Sequence, residues 1–350
     1  MKKFHICSVL LGILLLAFLI WKIRPMALWR ELDLLGWGLV FLILSEGGAD
    51  LFHTLGWRYC LSGPHRNLSF FQIFCIRMAG TSINYLTPTA GLGGEVTKGT
   101  LLSLNHQGVE AATGVIIGKL AYSLSQLLLV VIGSLTILWT IHLPTAALVA
   151  MRTATILLGG GILLFLAVQK YGKLGAVVRW LVTHKMGGKS LEKTSHHITA
   201  VDEELKLFYK ERPADLPLAV FWHIVGMACG TVQTWYFLCL LTDQASLAKA
   251  AAVWILGSWL DLVGFAVPID IGVLETTRVI AFRALGFHSA LGLTYGITIR
   301  MRHIFWAGVG LLIYMTLLAK KGGGRLVPKK NPSLCMAPET SSETTKKGGV

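Results

Sequence analysis

Two apolar stretches of the chain carry the same spaced acid and base. Both fit the pattern Pro-x6-Glu-x2-Lys/Arg, with Pro88, Glu95 and Lys98 in the first copy and Pro268, Glu275 and Arg278 in the second. A duplicated, Gly/Pro-broken segment that bears charges inside apolar sequence is typical of a transport site between two repeats. A chance match of three residues is the alternative.

Further charged residues interrupt the apolar segments. Lys119 and Arg300 follow the two copies at nearly matching offsets, and the remaining charges are Glu46, Asp50, Arg77, Asp261, Asp270 and Arg302. An unpaired charge at the bilayer centre costs roughly 2.5–3.5 kcal/mol, and the twelve together exceed the roughly 5–15 kcal/mol that stabilises an ordinary protein. We therefore expect them to pair, to reach the interface or to line a wet cavity.

The spacing of these charges predicts how they are arranged. Glu95 and Lys98, like Glu275 and Arg278, are three residues apart and share a helix face. Each Gly/Pro break leaves the following half-helix with its N-terminus inside the membrane, where free N–H groups favour an anion. We expect Lys98, Arg278 and the two N-termini to converge on an anionic headgroup. Three glycines would let the backbone approach it: Gly93, Gly94 and Gly272.

The composition is that of an all-α, polytopic integral membrane protein. Of the 350 residues, 54% are hydrophobic and 14% are charged, with a mean hydropathy of +0.63, whereas a soluble domain carries roughly 25% charged residues. The apolar runs lack the alternation of a membrane barrel. Predicted helices cover 6–21, 37–57, 111–141, 148–168, 216–241 and 290–318, and broken helix pairs cover 70–86 with 95–104 and 249–266 with 275–286.

These spans define a transmembrane domain at 1–320 and a disordered, cytoplasmic tail at 321–350. Within the domain, repeat 1 covers about 37–141 and repeat 2 about 216–318, and a polar loop covers 169–213. Each repeat contains one broken, re-entrant helix pair.

The net charge of +14 is concentrated in the segments between helices. Of 32 basic residues, 20 lie at the N-terminus, after the second helix, in the 169–213 loop and in the tail. The positive-inside rule places both termini and this loop in the cytoplasm of a cell whose inner membrane the protein spans. Repeat 2 is then inverted relative to repeat 1. The basic surface faces anionic lipid headgroups and not nucleic acid.

The charged segments resemble the signatures of a known family. The run from Arg77 through Asn84 to Pro88, followed by Gly93-Gly94-Glu95, is similar to the first signature of the lysylphosphatidylglycerol synthase/flippase-like transmembrane family. The second signature is matched by Pro268, Gly272 and Glu275 and then by Arg300 and Arg302. The likeness covers roughly residues 5–320, and the Gly-Gly-Glu form looks most similar to the hopanoid-associated branch. Asp270 stands where the family usually has glycine, and Lys98 stands where many members have arginine. These departures leave the identity of the ligand undetermined.

The resemblance implies a lipid translocator that works by alternating access. Its cargo would be an anionic phospholipid or a polyprenyl-linked or hopanoid-type lipid. In fused relatives a transferase domain accompanies this region, and none occurs in this sequence, so a separate lipid-modifying enzyme is an expected partner. The sequence shows no nucleophile motif, metal cluster or cofactor fingerprint, and we expect neither catalysis nor a cofactor. Two alternatives stay open: a membrane-embedded lipid-modifying transferase, with Glu46/Asp50 or Glu95/Glu275 as acid and base, and a non-catalytic accessory of lipid or glycan synthesis.

Overall fold

The computed structural model describes residues 33, 35–87, 92–104, 108–140, 148–149, 152–153, 155–161, 207–208, 210–264 and 273–322. Within these residues the long elements are all α-helices: α1 (Trp37–Cys60), α2 (Phe70–Leu86), α3 (Leu92–Ser103), α4 (Gly108–Thr140), α5 (Asp215–Leu241), α6 (Leu247–Gly264), α7 (Val273–Ala284) and α8 (Ser289–Gly322). The predicted all-α, polytopic class is confirmed, and the helix ends lie within a few residues of those predicted.

The order of helix lengths recurs in the two halves of the chain. Helices α1 to α4 contain 24, 17, 12 and 33 residues, and helices α5 to α8 contain 27, 18, 12 and 34. The predicted broken pairs are α2 with α3 and α6 with α7. The breaks themselves, with Pro88, Pro268, Asp270 and Gly272, lie outside the described residues.

Helix packing repeats in the same way. The contact of α2 with α8 has its counterpart in the contact of α6 with α4, and the contact of α1 with α8 has its counterpart in that of α5 with α4. Within each half, consecutive helices pack on one another in both copies. Exchanging the halves therefore reproduces most of the helix contacts; among the described helices, the contact of α1 with α4 has no equally extensive counterpart between α5 and α8.

The first helices of the two halves, α1 and α5, lie side by side and antiparallel. Near one end the rings of Phe41 and Tyr236 lie 4.7 Å apart, and near the other Phe52 stacks on Trp222 at 5.9 Å. A helix that runs antiparallel to its own counterpart reverses direction between halves, as an inverted repeat requires. The orientation of each half across the membrane stays a prediction.

Side-chain contacts fix the turn that precedes α2. Ser69 and Gln72 form a capping box, in which the Ser69 Oγ accepts from the Gln72 amide and the Gln72 Oε1 accepts from the Ser69 amide. Nearby, the guanidinium of Arg66 donates to Asp215 Oδ2 at 3.1 Å. This ion pair ties the turn between α1 and α2 to the start of α5.

A polar layer separates two apolar clusters along α1 and α5. One cluster contains Trp57 and Ala219, and the other contains Leu39 and Phe237. Because α1 is about 36 Å long at 1.5 Å per residue, the charged stretch between the clusters lies near its centre. Four described helices are long and apolar enough to cross a membrane: Trp37–Cys60, Glu110–Leu138, Asp215–Leu241 and Ser289–Ala319. These are the first and last helix of each half.

Several sequence predictions fall outside the described residues. The helix at 6–21, most of the 169–213 loop and the tail beyond 322 are among them. Helix α8 continues to Gly322, two residues into the predicted tail. Of the helix predicted at 148–168, positions 148–149, 152–153 and 155–161 are described and helical.

A charged cavity inside the helix bundle

Helices α1 to α5 enclose a cavity of about 230 Å³. Six charged residues line it, all of them predicted from the sequence: Glu46, Asp50, Arg77, Glu95, Lys98 and Lys119. Asn84 lies in the same wall. The cavity is therefore built mainly by the first half of the chain, and α5 closes it.

The first ion pair joins α1 to α2. The guanidinium of Arg77 donates to Asp50 Oδ1 at 2.6 Å and approaches the Asp50 carbonyl at 3.4 Å. Both residues are buried. Since removing either partner would leave a buried unpaired charge, this pair holds the two helices in a fixed relation.

The second ion pair lies on α3, as its spacing predicts. Lys98 Nζ donates to both carboxylate oxygens of Glu95, at 3.0 and 3.1 Å, and lies 5.6 Å from the centre of the Trp57 ring. The ammonium thus contacts a carboxylate and an aromatic face. Lys98 is largely neutralised by Glu95.

Asn84 links the two members of the first broken pair. Its side-chain Oδ1 accepts a hydrogen bond from the Gly94 amide at 2.6 Å, in the first turn of α3. One N–H group of this half-helix N-terminus, predicted to bind an anion, is thus bonded to Asn84. The carboxamide acts on α3 as a capping side chain does.

A third ion pair joins α1 to α8. The guanidinium of Arg302 lies 3.4 Å from Glu46 Oε2 and also donates to Gln233, whose amide donates to the same Glu46 oxygen at 3.2 Å. Helices α1, α5 and α8 are therefore held together by one buried polar network.

In the second half the predicted pairing of Glu275 with Arg278 is replaced by pairs between helices. Arg278 of α7 donates to both oxygens of Asp261 on α6, at 2.6 and 3.2 Å. Glu275 accepts from Arg300 of α8 at 3.0 and 3.1 Å. Two-point binding to a carboxylate is a strong arrangement for arginine, so the neighbouring helices supply better partners than the same helix face does.

Within the described residues, which leave out the two breaks at 88–91 and 265–272, Lys98 and Arg278 do not converge on one cavity as predicted. Lys98 lines the cavity, whereas Arg278 lies outside its wall and is bound to Asp261. The reason is the pairing just described, which draws Arg278 toward α6. The structure thus brings together the site residues of the first half and leaves Glu275, Arg278 and Arg300 in a separate group.

Lys119 differs from the other charged residues of the cavity. It lines the wall, is exposed, and has its Nζ 6.0 Å from the centre of the Tyr122 ring. Among the described residues no carboxylate lies in ion-pair distance of it. Of the cavity's described cations, Lys119 is therefore the one that remains available to an anionic ligand.

The aromatic and imidazole part of the wall was not predicted from the sequence. His53 of α1 and His223 of α5 lie with their Nδ1 atoms 3.1 Å apart, and Tyr122 packs against both rings at 5.4 and 5.5 Å. The available signal was a histidine within each of two membrane-spanning segments, a placement that is rare and usually functional. In the described part of the chain no group of three His, Cys, Asp or Glu side chains is arranged to hold a metal.

These features define a polytopic membrane protein with two similar four-helix halves and a charged cavity inside its bundle. The family model described as the lysylphosphatidylglycerol synthase TM region matches residues 6–310, and the chain belongs to that family. No match was found among curated proteins or among solved structures. The resemblance seen in the sequence is confirmed, and membership supports a membrane-lipid role. Placement in the hopanoid-associated branch stays a prediction.

Proposed function

We propose that this protein moves the polar headgroup of an anionic or isoprenoid-type lipid between membrane leaflets by alternating access, without covalent chemistry. The observation that carries the proposal is the cavity of about 230 Å³ in which Lys119 has no carboxylate partner among the described residues. A phosphate or phosphodiester group would supply the negatively charged partner that Lys119 lacks among the described residues. The space suits a headgroup and is far too small for the acyl chains, which would stay in the bilayer.

The paired charges around Lys119 serve this function in two ways. Asp50 with Arg77 and Glu95 with Lys98 keep the wall polar while each charge is compensated, so an empty cavity is not costly. Their N–H groups and carboxylate oxygens can also exchange hydrogen bonds with a headgroup. The repeated helix order supports alternating access, since equivalent halves can adopt each other's conformation.

We propose the inner membrane of the cell as its location, with both termini in the cytoplasm. Lipids are the expected partners, and a separate lipid-modifying enzyme would supply the modified headgroup. An anionic headgroup is proposed because Lys119 has no carboxylate partner among the described residues.

A translocation assay tests this function directly. Proteoliposomes with headgroup-labelled fluorescent phosphatidylglycerol are treated with an impermeant quencher, and the accessible fraction is followed over time. Wild-type protein should accelerate exposure of the inner-leaflet lipid, and Lys119→Ala should abolish this. Lys249→Ala is the matched control, because Lys249 contacts Gln244 and the Phe287 ring away from the cavity.

Three outcomes would contradict the proposal. One is an unchanged rate in Lys119→Ala protein that is folded and inserted. Another is equal movement of phosphatidylglycerol and phosphatidylcholine. The third is a covalently changed lipid found by mass spectrometry, which would point to the transferase alternative.

A further inference from the structure

Two histidines meet where the two halves of the bundle touch. His53 of α1 and His223 of α5 are both buried, both line the cavity, and approach to 3.1 Å between Nδ1 atoms. They are 170 residues apart in the chain. The pair therefore belongs to neither half alone and lies on the interface that alternating access must rearrange.

The packing around the pair is reciprocal. Each helix carries the sequence His-x-x-Gly, as His53 with Gly56 and His223 with Gly226. A Cβ added at Gly56 would lie 3.0 Å from the His223 ring, and one added at Gly226 would lie 2.8 Å from the His53 ring. Each histidine thus rests against a glycine of the opposite helix, and only the absence of these side chains allows the rings to meet.

The two imidazole rings of the pair can bind one more proton. Two neutral imidazoles joined through their Nδ1 atoms share one hydrogen, so one ring donates and the other accepts. His223 Nε2 is buried and makes no hydrogen bond within the described residues. When His223 is the donor, this Nε2 is an unprotonated base. A proton there makes an imidazolium whose Nδ1–H bond to His53 becomes charge-assisted and stronger.

The charges that face the pair decide when this proton binds. Arg77 of α2 and Lys98 of α3 both act on the two rings, and Lys119 of α4 lines the same cavity. Burial of the two rings and these cations together oppose a further positive charge. The phenols that face the cavity are Tyr85 of α2 and Tyr122 of α4.

The carboxylates of the wall are already occupied. Asp50 and Glu46 of α1 bind Arg77 and Arg302, and Glu95 of α3 binds Lys98. All three carboxylates of the wall are thus paired with cations, and the positive charge of Lys119 stays uncompensated among the described residues. An anionic headgroup at Lys119 would compensate this charge and so lower the electrostatic cost of protonating the histidines.

We propose that the His53–His223 pair is a proton-binding site that fills when an anionic headgroup enters the cavity. The inference rests on the proposed function. It adds that headgroup and proton are carried together as a nearly neutral unit, which lowers the cost of moving charge through the hydrocarbon. Loading is thereby coupled to the proton concentration on the side to which the cavity opens.

Calorimetry on the full chain in lipid nanodiscs measures this coupling. Short-chain phosphatidylglycerol is titrated at pH 7 in two buffers of different ionisation enthalpy, and the difference in binding heat gives the protons taken up. Wild-type protein should take up about one proton per lipid bound, as linkage between the two ligands requires. His53→Gln and His223→Gln should bind the lipid without this uptake, because glutamine keeps a hydrogen bond but does not titrate.

His288→Gln is the control, since His288 is exposed in the turn before α8 and lies outside the cavity. Its proton uptake should equal that of the wild type. If the cavity variants do not fold, nitrogen-15 NMR of histidine-labelled wild-type protein, with and without phosphatidylglycerol, detects the imidazolium directly. Lipid binding with no proton uptake and no imidazolium would overturn this inference alone. Absence of phosphatidylglycerol binding would overturn the proposed function as well.

Discussion

The amide of Gly94 donates to the side-chain oxygen of Asn84 at 2.6 Å and thereby joins the start of α3 to α2. A Cβ added at Gly94 would overlap the Gly80 carbonyl and the Asn84 side chain. The close approach of these two half-helices therefore requires glycine at position 94. The cavity depends on this contact, because α2 and α3 carry Arg77 and Lys98.

Gly94→Ala should destabilise the protein by about 1–3 kcal/mol, the usual cost of forcing an extra carbon into a packed interior. Thermal unfolding of the purified protein in detergent measures the change. Gly308→Ala is a matched control within α8, because nothing lies within 4 Å of a Cβ built there. The control should be neutral or up to about 1 kcal/mol more stable through helix propensity. Equal destabilisation by both substitutions would show that the Asn84 contact is not tight.

The Asp50–Arg77 pair should behave as a coupled unit. Asp50→Asn or Arg77→Gln alone should cost about 3–5 kcal/mol, since each leaves a buried charge without its partner. The double variant should cost less than the sum of the two. Denaturant unfolding of the four proteins yields the coupling energy.

The Arg66–Asp215 pair is a suitable comparison for the double-mutant cycle of Asp50 and Arg77. Its distance is 3.1 Å, but the Arg66 side chain is 44% exposed. Its coupling should therefore be no more than about 1 kcal/mol. A coupling as large as that of Asp50 with Arg77 would contradict the assignment of the latter to a buried polar layer.

Arg278 should be coupled to Asp261 and not to Glu275. Double-mutant cycles should give a coupling of about 0.5–3 kcal/mol for Arg278→Gln with Asp261→Asn, as residues in direct contact do. The cycle of Arg278→Gln with Glu275→Gln should give a smaller value, because Glu275 binds Arg300. A larger coupling energy of Arg278 with Glu275 than with Asp261 would support the pairing within α7 that the sequence spacing suggests.

The contrast between the halves shows what spacing can and cannot predict. The helices were predictable because long apolar runs and Gly/Pro breaks are local features. The Glu95–Lys98 pair was predictable because both residues lie on one helix face. Arg278 instead binds Asp261, 17 residues away, and Arg300 binds Glu275 at a separation of 25. Such partners depend on which helix packs alongside, and spacing within one helix does not contain that information.

The histidine pair was not predicted from the sequence, and the reason is related. His53 and His223 occur singly in two apolar helices, and their contact follows only from the antiparallel packing of α1 on α5. Lys119, by contrast, was predicted as a site residue. Its lack of a carboxylate partner in the described part of the chain emerged only when the other pairs had been assigned.

An inverted repeat, which the antiparallel packing of α1 on α5 supports, predicts that equivalent connections lie on opposite sides of the membrane. His106 lies between α3 and α4, and His288 lies between α7 and α8. In the sequence, each position lies between the second half-helix of a broken pair and the last helix of its half. Because α1 and α5 are antiparallel, exchanging the halves reverses the direction of this first helix, and an inverted repeat would reverse the others as well. The positive-inside rule then puts the first turn in the cytoplasm and the second outside.

Cysteine labelling with an impermeant reagent, in a background without the six native cysteines, checks this prediction. His106→Cys should react in inside-out vesicles only, and His288→Cys in right-side-out vesicles only. Ser190→Cys in the basic loop serves as the cytoplasmic reference. Reaction of both turns from one side would mean that the halves are parallel repeats. The broken pairs would then both enter from the same face, and alternating access through exchange of equivalent halves would lose its structural basis.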